Sequence, residues 1–197
     1  IIGAPALEKV NKKNTNLNFK NLFDTKKNII MSCFHPETNK SKSVNVKNLK
    51  ILINFLNNIE QNIIFTYPNA DEGYSDFIRI IHKNLKKKNS KIIKSLGIEN
   101  YHQLLSKSKL LIGNSSSGII ETGSFKVPFI NLGDRQKGRY APKNVINCSF
   151  KSKEILKAYN YATSKKFKKE LIKFKNPYED INSSDKAFKH IYNYLKK

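Results

Sequence analysis

Short apolar segments alternate with amphipathic segments along most of this sequence, and that alternation restricts the fold more than any other feature. Apolar runs of strand length lie at residues 29–34, 63–65, 92–93, 110–112 and 129–132. Between the first two, apolar residues recur at helical spacing, at Val46, Leu49, Leu52, Ile53 and Leu56. Alternating strands and helices favour a parallel sheet covered on both faces. The chain is therefore predicted to adopt an α/β, Rossmann-like fold with about six strands and helices on both faces.

Four of the predicted strands end in polar loops, which follow Phe34, Phe65, Ile112 and Leu132. Parallel strands place their carboxyl ends at one edge of the sheet, where open α/β sheets bind their ligands. We therefore expect these four loops to form one binding edge.

The predicted domain covers residues 29–197, and residues 1–28 are predicted to be a hinge or connector because they contain few periodic apolar positions. After residue 151 we expect a helix, a turn at 176–178 and a closing helix from 183 or 184 to 197. The sequence carries no signal peptide. Because it does not begin with Met, it is expected to be a piece of a longer protein.

The two loops within residues 110–139 carry most of the candidate chemistry. Residues 113–118 read Gly-Asn-Ser-Ser-Ser-Gly, between an apolar strand and the first turn of a helix. Unpaired N–H groups, serine hydroxyls and the helix dipole at such a turn suit a phosphate group. Residues 133–139 read Gly-Asp-Arg-Gln-Lys-Gly-Arg, which is dense in hydrogen-bond donors. We predict that the two loops lie side by side and hold a nucleotide diphosphate.

Two residues near these loops have both an ordinary and a functional interpretation. Glu121 follows one turn into the predicted helix, where a carboxylate favours the helix N-terminus or could accept the hydroxyl groups of a ribose. His35 follows a strand at the binding edge, where it is either a solvent-facing loop residue or a ligand contact. Position alone favours neither interpretation of His35.

The formal net charge of +22 raises the question of a nucleic-acid partner. The lysines are spread along the whole chain, and arginine, the residue best suited to reading bases, occurs only three times. Two of those three, Arg135 and Arg139, lie in the second loop, where bidentate phosphate recognition would use them. Nucleic acid is therefore an unlikely partner. No segment reaches the roughly 18 consecutive apolar residues of a membrane span, so no membrane association is expected.

The two cysteines, Cys33 and Cys148, each end an apolar run, which is typical of small buried side chains in a reducing compartment. Neither has a Cys or His at metal-ligand spacing, so no metal site is predicted.

Four motifs occur in order along the chain: Phe-His-Pro-Glu-Thr at 34–38, Tyr-Pro-Asn-Ala-Asp-Glu-Gly at 67–73, Gly-Asn-Ser-Ser-Ser-Gly-Ile-Ile-Glu at 113–121, and Asn-Leu-Gly-Asp-Arg-Gln-Lys-Gly-Arg at 131–139. Together they resemble the hydrolysing UDP-N-acetylglucosamine 2-epimerases of sialic acid and related nonulosonic acid pathways. Segments 2–5 and 176–178 also resemble family sequence, so the resemblance covers nearly the whole chain.

This resemblance implies the two-domain GT-B architecture, with the chain as its C-terminal half. The implied UDP-binding residues are Asn69, Leu96, Ser115, Ser116, Ser117, Glu121, Arg135 and Arg139. Ser115 and Ser116 would contact the diphosphate, Glu121 the ribose, and the backbone near Leu96 the uracil. His35 would be the catalytic residue of this half, placed near the diphosphate to favour its departure.

In the family, UDP leaves by elimination across C1–C2 of the sugar, and water then adds to the glycal to give the 2-epimer. By resemblance, the acidic catalytic residues and a further arginine come from the absent N-terminal domain. The isolated chain is therefore expected to bind UDP weakly and to turn over little or nothing. The full-length protein is expected to be a cytoplasmic homo-oligomer without a cofactor.

Three alternatives stay open at this point. The substrate could be a UDP-diacetamido-trideoxyhexose instead of UDP-N-acetylglucosamine. The chain could instead be the nucleotide-binding domain of a GT-B glycosyltransferase. A basic nucleic-acid-binding domain is the least favoured of the three.

Overall fold

A computed structural model describes residues 3–8, 27–69, 73–180 and 182–196. Six strands form one parallel sheet: β1 (Ile29–Cys33), β2 (Asn62–Thr66), β3 (Ser90–Ile93), β4 (Ser108–Gly113), β5 (Phe129–Leu132) and β6 (Val145–Cys148). Their order in the sheet is β3-β2-β1-β4-β5-β6, and every neighbouring pair is parallel. The predicted parallel α/β sheet is confirmed.

Seven α-helices lie in the described part of the chain: α1 (Lys42–Asn57), α2 (Tyr74–Asn84), α3 (Gly97–Lys107), α4 (Ser116–Ile120), α5 (Ser152–Ala162), α6 (Lys165–Ile172) and α7 (Ser183–Leu195). Helix α4 is short and continues into a 3-10 turn, Thr122–Phe125. Helix α6 is absent from the sequence prediction. Its two buried apolar residues, Phe167 and Leu171, lie among lysines, so they give only a weak helical pattern of apolar residues.

The four central strands, β1, β2, β4 and β5, are mostly buried, whereas the edge strands β3 and β6 are only partly buried. Alternate residues of a central strand enter two separate cores. Ile30, Leu110 and Ile112 belong to a core that includes buried residues of α1, α2 and α5. Met31 and Leu111 belong to the core on the other face, which includes buried residues of α3 and α4. Each fully buried large apolar side chain contributes about 1.5–3 kcal/mol. Helices therefore cover both faces, as predicted.

The connectivity places a crevice between β1 and β4 at the centre of the sheet. From β1 the chain proceeds through β2 to β3 on one side, and from β4 through β5 to β6 on the other. The loops that leave the carboxyl ends of β1 and β4 therefore turn in opposite directions. Open α/β sheets bind ligands in the crevice between two such loops.

The predicted connector at 1–28 lies mostly outside the described residues. Of its described part, Pro5–Leu7 forms one 3-10 turn. The Ala4 N–H donates to the Tyr178 carbonyl (2.9 Å), and the Glu8 carboxylate accepts from both the N–H and the hydroxyl of Ser184. This segment thus lies against the start of α7. Among the described residues, no helix combines the length and apolar character needed to cross a membrane.

Candidate functional site

Asn114 joins the loops that follow β1 and β4. Its side chain is fully buried, and it makes both hydrogen bonds with the backbone of one residue, His35. The His35 N–H donates to Asn114 Oδ1 (2.8 Å), and Asn114 Nδ2 donates to the His35 carbonyl (2.8 Å). An asparagine side chain presents an N–H donor and a carbonyl acceptor side by side. It can therefore bond to both the N–H and the carbonyl of one backbone residue.

The loop after β5 is fastened to the same residue. Arg135 Nη1 and Gln136 Nε2 both donate to the Asn114 carbonyl, at 3.1 and 2.8 Å. Three loops that are distant in sequence therefore meet around one buried side chain and its carbonyl. The structure brings the two donor-rich loops together at the strand ends.

An open cleft of about 810 Å³ lies between these loops and is lined by residues 36–40, Ser116, residues 134–137 and Arg139. Its cationic side chains are Lys40, Arg135, Lys137 and Arg139, and its carboxylates are Glu37 and Asp134. Lys40 Nζ lies 3.8 Å from Asp134 Oδ2, so the opposite charges of these two exposed side chains partly cancel. The surplus of cations suits an anionic ligand.

Glu37 is a buried carboxyl at the wall of this cleft. Its side chain accepts a hydrogen bond from the Asp134 backbone, while Oε2 is buried without a hydrogen-bond partner among the described residues. Burial raises the pKa of Glu37, and the positive charge of Lys40 only partly opposes that effect.

His35 lies beneath the cleft and is only 5% exposed. Its Nδ1 accepts a hydrogen bond from the Asn69 N–H (3.1 Å), and its Nε2 lies 3.2 Å from Cys33 Sγ. Because Nδ1 is an acceptor, the neutral ring carries its proton on Nε2, which then donates to the sulfur. Both ring nitrogens are engaged within the protein, and direct contact with a ligand would require one of them to exchange partners.

The Cys33 thiol is expected to resist alkylation in the folded protein. Burial raises the pKa of Cys33 to about 11, so less than about 1% is thiolate at pH 8. Mapping iodoacetamide adducts by mass spectrometry should show slow labelling of Cys33 at pH 8 and rapid labelling after unfolding in urea. Fast labelling of Cys33 in the native protein would contradict this burial.

Ser117 and Glu121, four residues apart in sequence, face α3. Tyr101 Oη lies 2.7 Å from Ser117 Oγ, which in turn lies 3.0 Å from Ser115 Oγ. Burial, together with the charge of Glu121, raises the pKa of Tyr101 above its usual range, so the hydroxyl keeps its proton. His102 Nε2 lies 2.9 Å from Glu121 Oε2. The serine hydroxyls and the carboxylate therefore have defined orientations.

The remaining predicted binding residues lie at neighbouring strand ends. Asn69 follows β2, has an exposed side chain and contacts His35 through its backbone. Leu96 directly precedes α3 and is partly buried against the core. Of the predicted set, Ser116, Arg135 and Arg139 line the cleft itself.

The family comparison agrees with the resemblance that the motifs carry. The family model described as UDP-N-acetylglucosamine 2-epimerase matches residues 1–192. The chain belongs to the UDP-N-acetylglucosamine 2-epimerase family. It is 34% identical to polysialic acid biosynthesis protein P7 of Escherichia coli, over 98% of this chain and 49% of that protein.

A second relative in the UDP-N-acetylglucosamine 2-epimerase family comes from Campylobacter jejuni. The GDP/UDP-N,N'-diacetylbacillosamine 2-epimerase (hydrolyzing) of that organism is 38% identical over 78% of this chain and 42% of its own length. The chain thus spans about half the length of the two curated relatives. The solved structure of S. aureus MnaA with UDP is similar to this chain with a TM-score of 0.74 and 16% sequence identity. The match covers 100% of this chain and 54% of the MnaA chain. That likeness confirms the Rossmann-like fold of the GT-B type.

Several residues that shape this epimerase-family site were not singled out from sequence. Asn114 lies within a quoted motif, but nothing in the sequence indicates that its side chain pairs with His35. Gln136 and Glu37 likewise lie within motifs and received no role. A histidine within a helical pattern, such as His102, favours a packing or surface position; His102 is buried, and it also contacts Glu121.

Proposed function

We propose that this chain is the C-terminal, UDP-binding half of a hydrolysing UDP-sugar 2-epimerase whose substrate is UDP-N-acetylglucosamine. The observation that carries the proposal is the junction at Asn114, which gathers three strand-end loops beside a cleft containing Arg135 and Arg139. Membership of the family supports the reaction class, and the length match supports assignment to one half of the protein.

The proposed reaction has two steps. A base removes the proton from C2 of the sugar, and the C1–O bond to the β-phosphate breaks with its electron pair leaving on UDP. Water then adds across the resulting C1=C2 bond to give free N-acetylmannosamine. We assign the base to the N-terminal half and stabilisation of the departing diphosphate to this half.

Arg135, Arg139 and Ser116 are proposed to bind the diphosphate, since all three line the cationic cleft. Guanidinium groups suit this task because their donors match two phosphate oxygens at once. His35 is proposed to favour diphosphate departure, for which it would exchange its bond to Asn69 or to Cys33.

The other proposed contacts surround the nucleoside and sugar. Glu121 would accept the ribose hydroxyls, the backbone near Leu96 would pair with uracil, and Asn69 would face the nucleotide or the sugar. Ser115 and Ser117 would support the phosphate loop through the hydroxyl network that ends at Tyr101.

The proposed N-terminal domain would cover α7. This helix exposes Phe188, Ile191, Tyr192, Tyr194 and Leu195. Such an apolar face is typical of a surface that another element buries. The segment at residues 3–8 lies against the start of the same helix. A cytoplasmic, homo-oligomeric full-length enzyme completes the proposal.

A UDP-diacetamido-trideoxyhexose is the second candidate substrate. The 38% identity to the diacetylbacillosamine 2-epimerase of Campylobacter jejuni favours it.

Incubating the full-length protein with UDP-N-acetylglucosamine tests the proposal directly. We expect equal amounts of free N-acetylmannosamine and UDP, without any acceptor sugar, and NMR spectroscopy distinguishes the epimer from N-acetylglucosamine. A parallel reaction with the diacetamido substrate compares kcat/KM for the two sugars. Transfer of the sugar only to an added acceptor would instead identify a glycosyltransferase and overturn the proposal.

A further inference from the structure

Two consecutive residues of α3 contact α4 and the turn that follows it. Tyr101 reaches Ser117, and His102 reaches Glu121, at 2.7 and 2.9 Å. Ser117 and Glu121 are four positions apart and therefore lie on one face of a helical segment. Helix α3 thus fixes the side of α4 that carries the proposed ribose contact.

The geometry of His102 defines which atom donates to Glu121. His102 has a side-chain exposure of 4%, and its Nδ1 is buried without a hydrogen-bond partner among the described residues. An ionised carboxylate can only accept, so the His102 proton that bonds Glu121 must lie on Nε2. The Phe125 ring packs beside the imidazole, with its centroid 5.4 Å from that of His102.

This contact orients Glu121 without using up its capacity to accept. A carboxylate has about four acceptor positions, and the bond to Nε2 occupies one of them. The Glu121 side chain keeps 18% of its surface exposed, so its free positions can receive ligand hydroxyls. A glutamate that is not held in this way would have to lose side-chain freedom on binding, which weakens affinity.

We propose that His102 is a positioning residue for nucleotide recognition, holding the Glu121 carboxylate in the orientation that accepts the ribose hydroxyls. The inference rests on the proposed function, because it takes Glu121 as the ribose contact. It assigns part of the ribose specificity to a helix outside the quoted motifs. His102 itself does not touch the nucleotide.

Calorimetric binding of UDP and 2′-deoxy-UDP to the full-length protein tests this role. The wild type should prefer UDP by roughly 10- to 100-fold, as expected for one hydrogen bond to a charged group. His102→Leu should weaken UDP binding by about five- to tenfold and change 2′-deoxy-UDP binding less than about twofold, because only the ribose contact depends on the oriented carboxylate. His102→Gln, whose amide can donate in place of Nε2, should restore most of the preference.

Two further variants separate the explanations. Phe125→Leu changes packing against the His102 ring without removing the donor, so it should leave the UDP preference intact. Glu121→Gln should reduce the preference. If Glu121→Gln reduces it and His102→Leu does not, the positioning role is wrong while the proposed function stands. If the wild type and Glu121→Gln both bind UDP and 2′-deoxy-UDP equally well, the assignment of Glu121 to the ribose itself fails. Equal weakening of both ligands by His102→Leu would indicate packing alone and would overturn the inference.

Discussion

Replacing Gly113 with alanine should destabilise the fold more than any other single methyl group added to a described glycine. Gly113 ends β4 with φ +149°, and a Cβ atom there would lie 1.9 Å from the Cys33 carbonyl oxygen of β1. Neither strand can move away easily, because each is paired on both sides near the centre of the sheet. Overpacking of this kind costs about 1–3 kcal/mol and occasionally more, and the unfavourable φ adds about 1–3 kcal/mol. We expect a total loss of about 2–6 kcal/mol.

Thermal unfolding of the full-length protein, followed by circular dichroism, measures this loss. A loss of 3 kcal/mol corresponds to a fall in Tm of about 6–12 °C for a domain of this size. Gly138→Ala is the matched control, since Gly138 also has a positive φ (+87°) but no heavy atom within 4 Å of an added Cβ. Gly138→Ala should therefore cost only the backbone strain. Equal Tm values for the two variants would show that β1 and β4 do not approach as closely as the structure indicates.

The four central strands were predictable because each contains a short apolar run with polar residues after it, and burial on both faces of the sheet favours such a run. The helical faces were less certain. Leu156 is a residue type that helical periodicity would place on the apolar face of α5, yet it is 50% exposed, and the buried residues of that helix include Ile155 and Ala158. Periodicity identifies a helix from its large apolar residues, and it overlooks an alanine that packs closely. Helix α6 is absent from the prediction for a related reason, because two buried apolar residues give little signal among four lysines.

Proximity of the two donor-rich loops was predictable because both follow parallel strands, and such loops share one edge of the sheet. The junction itself was not predictable. His35 and Asn114 are 79 residues apart, and only the sheet order that makes β1 and β4 neighbours brings them together. His102 illustrates the same limit, since a histidine in a helical pattern shows nothing of the element it faces. Motifs record residue types, whereas pairing between side chains depends on the fold.

The Asn114 junction gives the second large expected effect, because Asn114→Ala removes two buried hydrogen bonds at once. The His35 N–H and carbonyl would each lose the bond to Asn114, and the loss of a partner by a buried polar group costs about 1–3 kcal/mol. The free energy of unfolding should fall by about 2–6 kcal/mol. UDP affinity should fall at least about tenfold under conditions where the variant is folded, since the loops of the cleft lose their common anchor. Chemical denaturation and calorimetry measure the two effects separately.

Two other variants show whether the effect belongs to the junction. Asn144 is equally buried and donates to Thr122 Oγ1 and the Val127 carbonyl, away from the cleft, so Asn144→Ala should lower stability but leave UDP affinity within about twofold.

Asn114→Asp keeps the acceptor for the His35 N–H but places a second oxygen against the His35 carbonyl. The pKa of that new carboxyl should rise in the folded state, so the stability deficit relative to wild type should be small near pH 4 and grow as pH increases towards 8. A deficit that is the same at pH 4 and pH 8 would mean that Asn114 Nδ2 does not donate to His35. If Asn114→Ala loses stability but binds UDP normally, the junction stabilises the sheet edge without organising the cleft.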